Sequence, residues 1–389
     1  FAMLVAVEAG AQAALMAPTE LLARQHFATL EKLLTESGVS VALLTGRAKK
    51  SEREAVLARL AAGEVDIAVG THALFQSGVE FSDLAVAVVD EQHRFGVHQR
   101  MTLAAKGKGV DVLVMTATPI PRTLMLTAYG DLQSSRLLEK PAGRAAIETR
   151  VLPIERLEDV VAGIKRAVAS GARVYWICPL VEESEAVDLA AVAVRHGQLR
   201  NIFGTRVGLV HGRLKSDEKD AAMSDFASGA LDVLVATTVI EVGIDVPDAT
   251  IMVIEHAERF GLAQLHQLRG RVGRSDKPGN CLLLYAPPLG ETARARLEIL
   301  RETDDGFRIA EEDLKLRGAG ELLGTRQSGL PELRLADLAR HGELLATARA
   351  DARLIMERDP ELKSERSQAL RVLLYLFERD AAARYLRSA

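Results

Sequence analysis

Val86-Ala87-Val88-Val89-Asp90-Glu91-Gln92-His93-Arg94-Phe95 is the stretch on which the reading of the fold turns. Four apolar, mostly β-branched residues run straight into two acids. A continuous apolar run reads as a strand buried on both faces, as in a parallel sheet covered by helices. Open α/β sheets bind ligands outside the carboxyl ends of their strands. An Asp there can hold a magnesium ion on nucleotide phosphates, and a neighbouring Glu can orient or deprotonate an attacking water. By itself an Asp-Glu pair suits an exposed acidic turn equally well, because short motifs carry a false-positive risk.

Working outward, strand and helix patterns alternate on both sides of this stretch, which is the signature of βα units and a parallel sheet. Ala13 to Met16 is a short apolar strand, followed by Pro18-Thr19-Glu20 and an amphipathic helix to about Ser37. Val39 to Leu44 and Ile67 to Val69 are further strands, ending at Thr45-Gly46 and Gly70-Thr71-His72. Ser51 and Glu54 have the spacing of a capping box that opens a helix stopping at Gly63. Val112 to Met115 is the last strand of this part, and it ends in Thr116-Ala117-Thr118-Pro119. The strands thus end in small, hydroxylated or Gly residues in one phase. Backbone N–H groups and hydroxyls along such an edge can hold a sugar-phosphate backbone without reading bases.

Pro141-Ala142-Gly143-Arg144 reads as a linker, after which alternation restarts. Strands are expected at Thr149–Leu152, Val174–Cys178, Val207–Val210 and Val233–Ala236. Helices are expected over Glu155–Ser170 and from Ser216, as cap, to about Ala227. Then comes Gln264-Leu265-His266-Gln267-Leu268-Arg269-Gly270-Arg271-Val272-Gly273-Arg274, with three Arg and two Gly in its last six residues. Arg keeps its charge and forks onto phosphate oxygens. Presented across a cleft, it can stabilise charge on a transferring phosphoryl group. From residue 291 alternation stops and the chain reads as mostly helical, broken by the glycines of Arg317-Gly318-Ala319-Gly320 and Gly324.

The chain has 389 residues, 48% hydrophobic and 26% charged, enough for two or three domains with real cores. A net charge of −4 gives no overall basic signature, so contact with nucleic acid must use local patches. Cys178 and Cys281 sit in separate apolar runs and read as buried thiols of a reducing compartment. No apolar run reaches the roughly 18 residues of a membrane span, so a cytoplasmic protein is expected.

Asp90-Glu91-Gln92-His93 after an apolar strand resembles motif II of the superfamily 2 helicases, and the longer run to Arg100 resembles the RecG family within it. Six motifs of that superfamily occur in order between Pro18 and Arg274. The resemblance implies two tandem RecA-like lobes, at 1–145 and 146–290, and a helical C-terminal segment at 291–389. It implies an ATP-dependent DNA helicase, or double-stranded DNA translocase, that remodels branched DNA such as forks and Holliday junctions in recombination and repair. ATP and Mg2+ are the implied cofactors, with Asp90 holding the metal and Glu91 acting on water. Gly243, Asp245, Gln267, Arg271 and Arg274 are implied to face ATP, the two arginines as catalytic groups. DNA contacts are implied at Pro18, Thr19, Gly70, Thr71, His72, Thr237 and Thr238. His93, Thr116 and Thr118 are implied to couple nucleotide state to grip on DNA.

The tail run around Gly318 to Gly329 resembles the translocation motif that RecG shares with the transcription-repair coupling factor, and singles out Arg317, Glu321, Arg326 and Gln327. Branched double-stranded DNA and single-stranded DNA-binding protein are the implied partners of a monomer. Two departures stand out. The family carries a phosphate loop ending in Gly-Lys followed by Ser or Thr, and none occurs here. If Phe1 to Val7 is the helix after that loop, the chain is a fragment without the loop and the N-terminal wedge region, expected to turn over ATP hardly at all. The rival readings are a transcription-repair coupling translocase and a RecA-like module that binds without hydrolysing.

Overall fold

The computed structural model describes residues 1–46, 49–76, 78–91, 106–117, 133–139, 145–179, 185–237, 246–274, 276–317 and 341–376. The chain divides into two compact units, one of residues 1–119 with 139–309 and the other of 120–138 with 310–389.

The first unit holds two wholly parallel sheets. In the first, β1 (Gln12–Met16), β2 (Val41–Leu44), β3 (Ile67–Gly70), β4 (Leu84–Val89) and β5 (Asp111–Val114) lie in the order β2-β3-β1-β4-β5. All of β1 and β3 is buried, as expected of strands covered on both faces. Alternate residues go to opposite sides: Ala14 and Met16 join one core cluster with Leu44 and Val89, while Ala13 and Leu15 join the other with Ile67, Val69 and Val88. Helices Ala2–Glu8, Glu20–Leu34 and Lys50–Ala61 cover these faces. Gly70 at the end of β3 is required by crowding, because a Cβ there would lie 2.4 Å from the Leu44 carbonyl oxygen.

The second sheet has six strands where the sequence suggests four. β6 (Ile147–Pro153), β7 (Arg173–Ile177), β8 (Val207–Val210), β9 (Val233–Ala236), β10 (Ala249–Ile254) and β11 (Gly279–Tyr285) run in the order β6-β11-β10-β7-β9-β8. β10, buried at every position, sits centrally between β11 and β7. It is a short apolar run, which periodicity alone does not separate from a buried helix segment. Trp176 of β7 is fully buried on one face; its neighbour Tyr175 packs on Phe226, ring centres 4.8 Å apart.

Two expected caps are not formed. The helix over Lys50–Ala61 starts one residue before Ser51, with Lys49 at the cap and no side-chain cap bond. The next starts at Ser216 rather than after it; Lys215 is the cap residue, and its N–H donates to Glu218 Oε2 at 2.8 Å. The expected helix over 155–170 is a 3-10 turn at Ile154–Arg156 running into an α-helix over Leu157–Ala169. The segment after 290 is helical where described, over Glu291–Glu302, Gly306–Arg317, Gly342–Arg358 and Glu365–Leu376. Both cysteines are buried and unbridged. Burial pushes the Cys281 thiol up to about 12, against an opposing pull from Arg269. No helix among the described residues is long and apolar enough to cross a membrane. The linker expected at 141–144 lies outside the described residues.

Candidate active site

Because every strand of the first sheet is parallel, Thr19, Thr45, Thr71, Asp90 and Thr116 all follow strands at one edge. Asp90 leaves β4 with its N–H bonded to the Met16 carbonyl at 2.9 Å, which extends the ladder by one residue and aims the carboxylate off the sheet's end. Its side chain keeps 20% exposure. Asp90 Oδ1 accepts from the Glu91 N–H at 2.9 Å, and Oδ2 lies 2.8 Å from His26 Nε2 on the helix Glu20–Leu34. Glu91 adopts φ 50°, the left-handed region, which turns the chain sharply at the strand end. Glu91 Oε2 accepts a long bond from the Ala117 N–H at 3.5 Å, so the acids after β4 meet the segment after β5.

Thr19 is extended and caps its helix, its Oγ1 accepting from the Leu22 N–H at 3.3 Å. Glu20 in the first turn accepts from Thr45 Oγ1 at 3.3 Å and pairs with Arg24 at 2.7 Å. Pro18 and Thr19 are partly exposed and His72 is exposed. Thr71 and Thr237, by contrast, are 4% and 1% exposed and shape their edges from within.

In the second sheet Gln267 lies on the helix Leu262–Arg269, with Arg271 and Arg274 in the turns beyond it. Arg274 Nε donates to the Gly270 carbonyl at 3.1 Å, which anchors the base of an otherwise exposed side chain. Gly273 is demanded by the fold: its φ is 68°, and a Cβ would meet Ile147 Cγ1 at 2.7 Å. Gly270 has an ordinary φ of −65°, and a Cβ there would meet the Gln267 carbonyl oxygen at 3.3 Å, a milder crowding. His93, Thr118, Thr238, Gly243, Asp245, Glu321, Arg326 and Gln327 lie outside the described residues, as does the side chain of Arg317.

Three residues matter here that sequence reading passes over. His26 contacts Asp90 across the fold. Arg269, 3% exposed, donates from Nη1 to the Leu300 and Thr303 carbonyls at 2.6 and 2.9 Å, capping the end of the helix Glu291–Glu302 from the last residue of the helix that precedes Arg271. Burial lowers its pKa, with Cys281 and Asp304 opposing. Glu255, directly after β10, accepts from Trp176 Nε1 at 2.5 Å and from Arg195 Nη2 at 3.0 Å. Only the acid at a strand end is a local signal; the partners are far away in sequence.

A metal held mainly by phosphates and water needs only one or two protein carboxylates. Asp90, partly exposed with Glu91 beside it, fits that demand. No group of three or more metal-ligating side chains occurs among the described residues.

Comparison with known proteins agrees with this geometry. The DEAD/DEAH box helicase family matches residues 1–127, the helicase conserved C-terminal domain matches 154–276, and the C-terminal part of domain 3 of the ATP-dependent DNA helicase RecG matches 303–376. The ATP-dependent DNA helicase RecG of Pasteurella multocida is 48% identical over 370 residues, covering 94% of this chain and 53% of that protein. The chain belongs to the RecG family. RecG of Streptococcus pneumoniae is 51% identical over 367 residues, covering 92% of this chain and 54% of that protein. The solved structure of RecG bound to a three-way DNA junction superposes with a TM-score of 0.70 at 44% identity, over 88% of this chain and 45% of that one. S. cerevisiae Dbp5 bound to RNA and ADP BeF3, at 17% identity and a TM-score of 0.56 over 81% of this chain and 84% of that one, shares the fold. The two parallel sheets are tandem RecA-like helicase lobes. The chain spans about half the length of the curated RecG relatives it matches.

Proposed function

We propose that the full-length protein is an ATP-dependent DNA helicase, a double-stranded DNA translocase acting on branched DNA. The observation that carries this is the partly exposed Asp90–Glu91 pair at the carboxyl end of a buried parallel strand, in a chain about half identical to RecG helicases. The lobes are taken as 1–145 and 146–290, with 291–389 as the segment that turns their movement into translocation. The RecG-specific match at 303–376 favours this over a transcription-repair coupling translocase.

In this reading Asp90 holds magnesium and Glu91 orients the attacking water. A bound magnesium ion supplies charge neutralisation on the phosphates. Gln267, Arg271 and Arg274, with Gly243 and Asp245, face the nucleotide from the second lobe. The guanidinium groups of Arg271 and Arg274 stabilise charge on the phosphoryl oxygens and make ATP a link between lobes. Pro18, Thr19, Gly70, Thr71 and His72 hold the DNA backbone on the first lobe, and Thr237 and Thr238 hold it on the second. Thr116, Thr118 and His93 join nucleotide state to that grip. Arg317, Glu321, Arg326 and Gln327 serve duplex translocation. Binding through phosphates makes affinity fall steeply with salt. Branched DNA and single-stranded DNA-binding protein are the partners of a monomeric enzyme. Because the 389 residues hold no Gly-Lys phosphate loop, this stretch alone is expected to hydrolyse almost no ATP.

The test is DNA-stimulated ATP hydrolysis by the full-length protein with and without Arg274→Ala. Turnover falling by about 10³-fold or more, with nucleotide binding kept, supports an arginine finger. Unchanged turnover removes Arg274 from the chemistry and the motor reading with it.

A further inference from the structure

We propose that His26 is a positioning residue that holds the Asp90 carboxylate in its metal-bearing orientation and ties it to the DNA-facing start of its own helix. The proposal rests on the reading of Asp90 as the metal-holding acid.

Asp90 is fixed from two sides. The Glu91 N–H binds Oδ1 at 2.9 Å, and His26 Nε2 approaches Oδ2 at 2.8 Å from a separate element. A carboxylate only accepts, so Nε2 is the donor. Each carboxylate oxygen has further lone-pair capacity, which leaves a place on each for a metal ion or its water. A group that donates to a metal-bearing carboxylate fixes its direction, and losing such a group typically weakens metal binding by about 10–100-fold. An imidazole N–H orients the acid at less cost to its negative charge than a lysine ammonium would.

The position of His26 on its helix adds the second half of the proposal. The helix Glu20–Leu34 begins at Thr19, whose side chain caps it, and Glu20 ties its first turn to Thr45. Pro18 and Thr19, at this start, are partly exposed, as is Glu20. His26 lies two turns further on, with its tip on Asp90. An α-helix is stiff over two turns, so a DNA phosphate bound at Thr19 and the metal-holding carboxylate are attached to one rigid body. Grip on DNA then sharpens the metal site, and the metal site steadies the grip, as linkage requires.

The experiment measures Mn2+ binding by electron paramagnetic resonance in the full-length protein. It uses adenylyl imidodiphosphate as nucleotide, with and without a three-way DNA junction. The variants are His26→Ala, His26→Gln and Asp90→Asn, each checked by thermal unfolding. His26→Ala is expected to raise the Mn2+ dissociation constant by about 10–100-fold. Any tightening by DNA seen in the parent is expected to disappear. In turnover, the magnesium concentration for half-maximal rate rises while the rate at saturating magnesium recovers. His26→Gln, which keeps a donor at similar reach, is expected to recover most of the binding. If His26→Ala binds Mn2+ like the parent while Asp90→Asn does not, the proposal fails and the reading of Asp90 stands. If Asp90→Asn also binds like the parent, both fail. A glutamine variant as weak as alanine means that packing, not the donated bond, is what His26 supplies, and overturns the proposal.

Discussion

Asp90 and Glu255 occupy equivalent places in the two sheets and have opposite fates. Each is the residue just after a central parallel strand, and each extends the ladder by one bond, Asp90 N–H to Met16 and Glu255 N–H to Ile177, both at 2.9 Å. Asp90 keeps 20% of its side chain exposed and has an imidazole as its cross-fold partner. Glu255 keeps 7% and is closed in by the Arg195 guanidinium and the Trp176 indole. One architecture therefore places an acid at the end of a strand twice, and the neighbours decide its use. Where the partner leaves lone pairs and water access, the acid is available for chemistry. Where a guanidinium and an indole bond the acid and shut it off from water, it secures the fold and is removed from reaction.

The contrast breaks most sharply at Glu91, beside the open acid. In the full-length protein, Glu91→Gln is expected to lower DNA-stimulated ATP turnover by about 10²–10⁴-fold, the usual share of a positioned base. The unfolding midpoint should not move. An unchanged steady-state rate would put Glu91 with the structural acids.

Glu255→Ala should behave in the opposite way. It strands a half-buried Arg195 and a buried indole N–H, and breaking a fully buried pair from one side costs about 3–5 kcal/mol, an upper bound here. The expected result is a clearly lower denaturant midpoint, with ATP turnover per folded molecule near that of the parent at low temperature. A midpoint within error of the parent, or a turnover loss without unfolding, would make Glu255 a functional acid after all.

The smallest expected effect asks whether the enclosure at Glu255 extends along the same edge. His211 follows β8, its Nδ1 buried and without a hydrogen-bond partner among the described residues. Burial, then Lys219 and Arg213, lower its pKa, against a smaller opposing effect of Glu218. A His with a lowered folded pKa penalises the folded state once the unfolded chain begins to take up the proton. Stability should therefore decline as pH falls through the ordinary histidine range near about 6.5. Comparing the unfolding midpoints of the parent and His211→Asn at pH 7.5 and pH 5.5 reads this: the variant should lose less. Equal losses would leave His211 as open to solvent as the exposed residues of the first sheet's edge.

Most strands and helices, and the parallel character of both sheets, are legible in the chain, because burial on both faces leaves an unbroken apolar run such as Val86 to Val89. The string from Gln264 to Arg274 is legible for a similar reason: its residue types and spacing carry the chemistry locally. β10 and β11 are less so, since short apolar runs without a period do not declare their type. The two missed caps show a local rule overruled, because Lys49 and Lys215 take the cap positions expected of Ser51 and Ser216.

What the sequence determined by itself is the repertoire: an alternating chain, two parallel sheets, and acids, hydroxyls and arginines at strand ends and in one basic turn. Tertiary structure alone decided which acid is open and which is closed. It brought His26 to Asp90 across 64 residues, Trp176 to Glu255 across 79, Arg195 to Glu255 across 60 and Arg269 to Leu300 across 31. The physical reason is range. Periodicity and capping act within a few turns of chain, whereas the water access and hydrogen-bond partners that set a carboxylate's role come from elements that meet only when the sheets have formed.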